Sequence, residues 1–304
     1  MKRTDISRLS TERRNPASSD LDLKSSLQIA RIINAEDAKV ATAVKRALPQ
    51  IASGVDLVAA ALKRGGRLIY VGAGTSGRIA ALDAAECPPT FGVSPKTVQF
   101  VIAGGVRALA SAVEANEDSR ELGRRDIARK KPGKNDVVVG IAASGRTPFT
   151  VAALEYARRH GAKTIAVTCN GNSPLGKAAH LAIVTEVGPE VISGSSRMKA
   201  GTAQKMVLNM LSTGAMTRLG YVYGNLMVNV HPKNEKLLAR GVSILQHALT
   251  FGRDDARQAL KAAGSNVPVA LVMLRANVGR RQAERALKSA GGNVRQAIAS
   301  ARSL

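Results

Sequence analysis

Tryptophan is absent from the sequence, and Phe and Tyr together supply only 3% of its 304 residues. A core with so few large rings is built from Ala, Val, Leu and Ile, which suits helices packed closely on a parallel sheet. Cysteine is nearly as scarce. Cys87 and Cys169 lie on different motifs, so a disulfide framework is not expected. Cys87 has no histidine near it in sequence and reads as a buried apolar thiol rather than a nucleophile. The four histidines, at 160, 180, 231 and 247, show no ligand spacing, which argues against a metal site. His231 remains a candidate for lining a pocket or for surface and capping use. Long apolar runs are missing too: none approaches the ~18–20 residues that a membrane-spanning helix needs. The start of the chain mixes Asp, Glu, Arg and Ser without an apolar signal core, so the expected home is a reducing cytoplasm, away from any membrane.

Acidic residues are the last shortage. Against 45 Lys and Arg stand 22 Asp and Glu, a formal charge of +23 that favours anionic partners in general. The cations are spread along the chain, the longest cluster being Arg129, Lys130 and Lys131, so charge alone does not choose between nucleic acid, membrane surface and phosphorylated metabolites.

What is present is a change of pattern. Residues 1–20, rich in Ser, Thr, Asn and Arg, read as an extended arm ending at Asp20, which is placed to cap a helix begun by Leu21. A second helical stretch runs from about Glu36 to Lys63, broken near Pro49, and Gly65-Gly66 closes it. Short β-rich runs follow (Leu68 to Val71, Thr97 to Ile102, Val137 to Ile141, Thr164 to Thr168 and Leu181 to Val184), each before a Gly/Ser turn and a helix. That alternation predicts a doubly wound, mostly parallel α/β sheet over residues 21–240, with ligands at the carboxyl ends of its strands. Residues 241–304 read as a small helical C-terminal appendage with turns at Gly264, Gly279 and Gly291-Gly292.

Three strand-to-helix segments carry chemistry. Val71-Gly-Ala-Gly-Thr-Ser-Gly-Arg78 lets backbone approach closely and can cradle a phosphate at a helix start; it is neither a P-loop nor a dinucleotide fingerprint. Gly140-Ile-Ala-Ala-Ser-Gly-Arg-Thr-Pro148 repeats the design, with Pro148 where a missing donor costs nothing. Ile192-Ser-Gly-Ser-Ser-Arg-Met-Lys199 again sets hydroxyls and cations before a helix. Three such starts suggest one shared anion.

These segments resemble the sugar isomerase (SIS) domain, and nearly the whole chain is similar to the N-acetylmuramic acid 6-phosphate etherase family within that superfamily. The likeness extends to Thr11-Glu-Arg-Arg-Asn-Pro-Ala-Ser18, Leu82-Asp-Ala-Ala-Glu-Cys-Pro-Pro-Thr-Phe91, Ala112-Val-Glu-Ala-Asn-Glu-Asp-Ser119 and Ser193-Gly-Ser-Ser-Arg-Met-Lys-Ala-Gly-Thr-Ala-Gln-Lys205. Ala115 departs from it where glycine is usual. The resemblance implies an enzyme of amino-sugar recycling that needs no metal or cofactor and cleaves the D-lactyl ether of a 6-phosphorylated amino sugar. It maps the catalytic pair onto Glu86 and Glu117, and it implies a homodimer whose pockets are completed by the partner. The phosphate is then expected among Ser76, Ser144, Thr147 and Ser195, with Thr75, Ser196, Arg78, Arg146 and Lys199 close by.

The chemistry by itself calls for two carboxyl groups, one as base and one as acid, and neighbouring carboxylates push their pKa values apart so as to supply one of each. Three other readings use the same sequence. A sugar-phosphate sensor related to the glucokinase regulatory protein would keep the hydroxyl-rich turns without needing both glutamates. An aldose–ketose isomerase would also remove a proton beside a carbonyl. A DNA-binding regulator would use Arg280 to Ser289, the Gly291-Gly292 turn and Val294 to Ser300 as a helix-turn-helix, although no basic wing adjoins them and nucleic acid is the less expected partner.

Overall fold

The computed structural model describes residues 10–113, 116–229, 235–249 and 252–302. His231 and Ala115 lie outside the described residues. Five strands, β1 (Leu68–Gly72), β2 (Val98–Ile102), β3 (Val137–Ile141), β4 (Lys163–Thr168) and β5 (Leu181–Val184), form one parallel sheet in the order β2-β1-β3-β4-β5. The runs Leu-Ile-Tyr-Val and Val-Val-Val are apolar without alternation because β1 and β3 are buried along their whole length. Strand order reverses between β1 and β3. Crevices for ligands open at such a switch point, and the register that sets Gly72 opposite Ile141 brings the first two hydroxyl-rich turns to the same level.

The helices in chain order are α1 (Ser26–Arg46), α2 (Leu48–Lys63), α3 (Gly74–Phe91), α4 (Arg120–Ala128), α5 (Pro148–Arg159), α6 (Pro174–Ala178), α7 (Lys199–Arg218), α8 (Glu235–Leu249), α9 (Arg253–Ala262), α10 (Val267–Ala276), α11 (Arg280–Ser289) and α12 (Val294–Arg302). The first helix does not begin where expected. Leu21–Leu23 is a single 3-10 turn, and the Asp20 side chain makes no cap because it pairs with Lys24 at 2.6 Å. Ser25 caps α1 instead in a reciprocal box with Gln28. Pro49 sits in the first turn of α2, and the break falls at Ala47. The described part of the arm is not extended. It coils through Ser10–Glu12 and Pro16–Ser18 and is tied down by Asn15 Nδ2 to the Pro189 carbonyl (3.1 Å) and Ser18 Oγ to the Val191 carbonyl (2.7 Å).

The chain divides into two compact units, Met1–Ala85 with Pro95–Ser212, and Glu86–Ser94 with Thr213–Leu304, so the second is larger than the appendage expected from residue 241. Within the second unit, one apolar cluster draws on α8 through α12. Its last four helices are two copies of one hairpin. Ala259-Leu-Lys-Ala-Ala-Gly-Ser-Asn-Val267 recurs as Ala286-Leu-Lys-Ser-Ala-Gly-Gly-Asn-Val294. The structures of the copies match as well. Gly264 and Ser265 have φ of 65° and 59° where Gly291 and Gly292 have 60° and 88°, and Asn266 and Asn293 each cap the following helix.

Candidate active site

The first turn needs its glycines. A side-chain carbon on Gly72 would lie 2.8 Å from the Gly77 nitrogen, and one on Gly77 would meet Ile102 at 2.5 Å, so β1 runs directly into α3 with no room between. In the second turn, Gly145 has φ of 67° and a side chain there would strike Ser173 at 2.4 Å. Ser144 Oγ accepts a hydrogen bond from the Arg146 amide at 3.2 Å. Thr147 precedes α5 without capping it, Pro148 being the helix's first residue. The third segment lies against the first: a side chain on Gly201 in α7 would meet Thr75 Cγ2 and Ile79 Cδ1 at 3.5 Å. The hydroxyls of Thr75, Ser76, Thr147, Ser195 and Ser196 make no hydrogen bond to a described residue, so these hydroxyls remain available to a ligand.

Glu117 is drawn to the first turn. Its carbonyl accepts from the Phe149 amide at the start of α5 (3.0 Å), and its Oε1 lies 3.0 Å from where a side-chain carbon on Gly74 would stand. Gly74, with φ of 51°, is therefore glycine both for its backbone and for the carboxylate above it. Glu86 stands exposed farther along α3, in the second compact unit. Pro88 and Pro89 follow it inside the helix and remove two backbone donors from that turn. One turn before Glu86, buried Asp83 accepts hydrogen bonds from Tyr70 Oη (2.7 Å), Asn209 Nδ2 (2.6 Å) and Ser212 Oγ (3.0 Å), which ties α3 to β1 and α7.

Two of the three expected phosphate cations are engaged elsewhere. Lys199 is 1% exposed and its Nζ lies 2.5 Å from Glu36 Oε2 on α1. Burial would raise the Glu36 carboxyl, but hydrogen bonds from Lys199, Lys39 and Asn15 outweigh it and hold the group down at about 2. Arg78 donates from Nη2 to the Ser111 carbonyl (2.9 Å) and from Nε to the Leu109 carbonyl (3.3 Å). Arg146 differs, because its Nε is buried with no hydrogen-bond partner. Neither cysteine is primed as a nucleophile: both are buried, and burial pushes the Cys169 thiol up to about 12. Among the described residues, no group of three His, Cys, Asp or Glu stands close enough to hold a metal.

The sequence matches the glucokinase regulatory protein N-terminal SIS domain over residues 50–158 and the SIS domain over residues 131–214. It is 58% identical over 275 residues to an N-acetylmuramic acid 6-phosphate etherase of Symbiobacterium thermophilum, covering 90% of this chain and 91% of that one. The chain belongs to the N-acetylmuramic acid 6-phosphate etherase family. Another etherase of this family, from Aeromonas hydrophila, is 52% identical over 274 residues, covering 90% of this chain and 92% of the other. Among solved structures, a phosphoheptose isomerase from Francisella tularensis matches 64% of this chain and 100% of its own at 18% identity and a TM-score of 0.50, which shows a shared fold. All three hydroxyl-rich segments, Glu86 and Glu117 lie within the two SIS matches.

Some positions in this etherase-family chain gave no signal in the sequence. Glu190, fully buried beyond β5, accepts from the amides of Lys199 (3.0 Å) and Ala200 (2.9 Å) and so caps α7 from outside the helix, while burial raises its carboxyl. No local pattern announces a cap supplied from nine residues upstream. Asp83 gives no local signal either, because its partners on β1 and α7 are distant in sequence.

Proposed function

We propose that this protein cleaves the D-lactyl ether of N-acetylmuramic acid 6-phosphate, giving N-acetylglucosamine 6-phosphate and D-lactate, as a cytoplasmic homodimer. Family membership supports the substrate. The observation that carries the site is the Glu117 carboxylate held over Gly74, at the turn where unpartnered hydroxyls gather. The 6-phosphate is bound by the hydroxyls of Ser76, Ser144, Thr147 and Ser195, with Thr75 and Ser196 beside them. Arg146, whose buried Nε lacks a partner, supplies the positive charge.

Bound at its phosphate, the sugar opens to an aldehyde at C1, which makes the C2 hydrogen acidic. One of Glu86 and Glu117 takes that proton as base. The electrons left on C2 form the C2–C3 double bond as the C3–O bond breaks, and the other glutamate, as acid, protonates the departing lactate oxygen. Water then adds to C3 and a proton returns to C2, so the protein acts as a carbon–oxygen lyase followed by hydration. Each proton transfer by a placed carboxyl group is worth ~10²–10⁴-fold. Exposed Leu27 on α1 and Leu82 on α3 favour a second copy as cover. Incubating the purified protein with N-acetylmuramic acid 6-phosphate and assaying free D-lactate tests the reading. Absence of lactate, with tight binding of the sugar phosphate or of DNA, would replace it by a sensor or a regulator.

A further inference from the structure

The family resemblance places Arg78 beside the phosphate. Its contacts assign it other work. After β2, the chain leaves the sheet through a 3-10 turn, Gly105–Leu109, and its Leu109 and Ser111 carbonyls both receive the Arg78 guanidinium. The excursion is compact, since a side-chain carbon on Gly104 would stand 2.9 Å from Val113 Cβ. Further along the chain, Glu117 is anchored by the Phe149 amide and rests on Gly74, one helical turn before Arg78 on α3. The helix that begins under the Glu117 carboxylate thus also grips the chain at Leu109 and Ser111, six to eight residues before it.

We infer that Arg78 is a positioning residue for Glu117 and not a ligand of the phosphate. Its planar fork reaches two carbonyls two residues apart, which the single ammonium of lysine does not reproduce. Its Nε and Nη2 are already committed to these two carbonyls. The inference rests on Glu117 acting in the proposed reaction.

The test measures kcat for lactate release, inhibition by inorganic phosphate, and amide exchange of residues 105–111, in wild type, Arg78→Lys, Arg78→Ala and Arg146→Ala. A misplacement of about 1 Å costs ~10²-fold, so both Arg78 variants are expected to lose ~10–100-fold in kcat. Their inhibition constant for phosphate should stay within about twofold of wild type, while Arg146→Ala raises it about tenfold or more. Amides 105–111 should exchange faster in Arg78→Lys, which keeps the charge and guards against a misfolded alanine variant. In a Glu117→Gln background the Arg78→Lys loss should largely vanish, because residues acting as a unit are not additive. Weaker phosphate inhibition with kcat preserved would make Arg78 a phosphate ligand and overturn the inference. Additive losses in the double variant, or unchanged exchange at 105–111, would overturn it as well. An active wild type with any of these results sinks this inference alone, whereas an inactive wild type sinks the proposed reaction and this inference with it.

Discussion

Replacing Gly74 by alanine separates a backbone cost from a catalytic one. At φ of 51° an L-residue is in the left-handed region, which costs ~1–2 kcal/mol, and the stiffer unfolded chain returns ~0.4–1 kcal/mol. A net loss of about 1 kcal/mol in stability follows. The new methyl would also stand 3.0 Å from Glu117 Oε1, so the carboxylate has to retreat by a few tenths of an ångström. With about 1 Å costing ~10²-fold, that retreat should lower kcat for lactate release by ~3–10-fold and leave substrate KM nearly unchanged. Gly65→Ala is the control. Gly65 has φ of 75° with nothing within 4 Å of the added carbon, and it lies at the opposite end of β1 from the site. It should lose comparable stability in thermal melting and keep its turnover. Wild-type kcat in Gly74→Ala, or an equal loss in both variants, would refute the placement of Glu117 as a working group on that turn.

Glu86→Gln and Glu117→Gln should each lower turnover by ~10²–10⁴-fold with little change in binding, and near-normal lactate release by both would place the chemistry elsewhere. Ser144→Ala should weaken binding of the phosphorylated sugar by roughly ten- to a hundredfold, since a charge-assisted bond contributes ~1.5–3 kcal/mol; titration calorimetry against the unphosphorylated sugar reads this directly. The Glu36 carboxyl is depressed from 4.5 to about 2, so its contribution to stability is full above the unfolded value and is lost as pH falls through the range between the two. Melting curves from pH 5 to pH 2 should therefore fall more steeply for wild type than for Glu36→Gln, and parallel curves would contradict the pair. Ser265→Gly, which copies Gly292 of the second hairpin, should stabilise the C-terminal unit by ~0.5 kcal/mol by relieving a left-handed serine.

Features fixed by neighbours in sequence were legible, and those fixed by neighbours in space were not. The apolar runs at Leu68 and Val137 and the glycine turns after them mark β1 and β3, because burial on both faces leaves a continuous apolar signal. Pro49 marked its helix break for an equally local reason. The start of the first helix is not legible, because Asp20 and Ser25 are both good caps and the Asp20 carboxylate pairs with Lys24 instead. Arg78 and Lys199 carry the residue types of an anion site, but their partners, the Leu109 and Ser111 carbonyls and Glu36, are 31, 33 and 163 residues away. No motif encodes such distances. Glu117 rests on family likeness, since nothing in its local pattern separates it from a solvated glutamate.

The duplicated hairpin at the C-terminus bears on how that unit comes apart. Each copy is too short to close a core alone, and its apolar stripe, Leu260, Val267 and Leu271 in the first and Leu287, Val294 and Ile298 in the second, enters one common cluster. Two halves that shield each other have no stable half-way state. The hairpins should melt together in a single cooperative step, and a chain cut at Gly279 should leave the retained copy markedly less stable, packed on α8 alone.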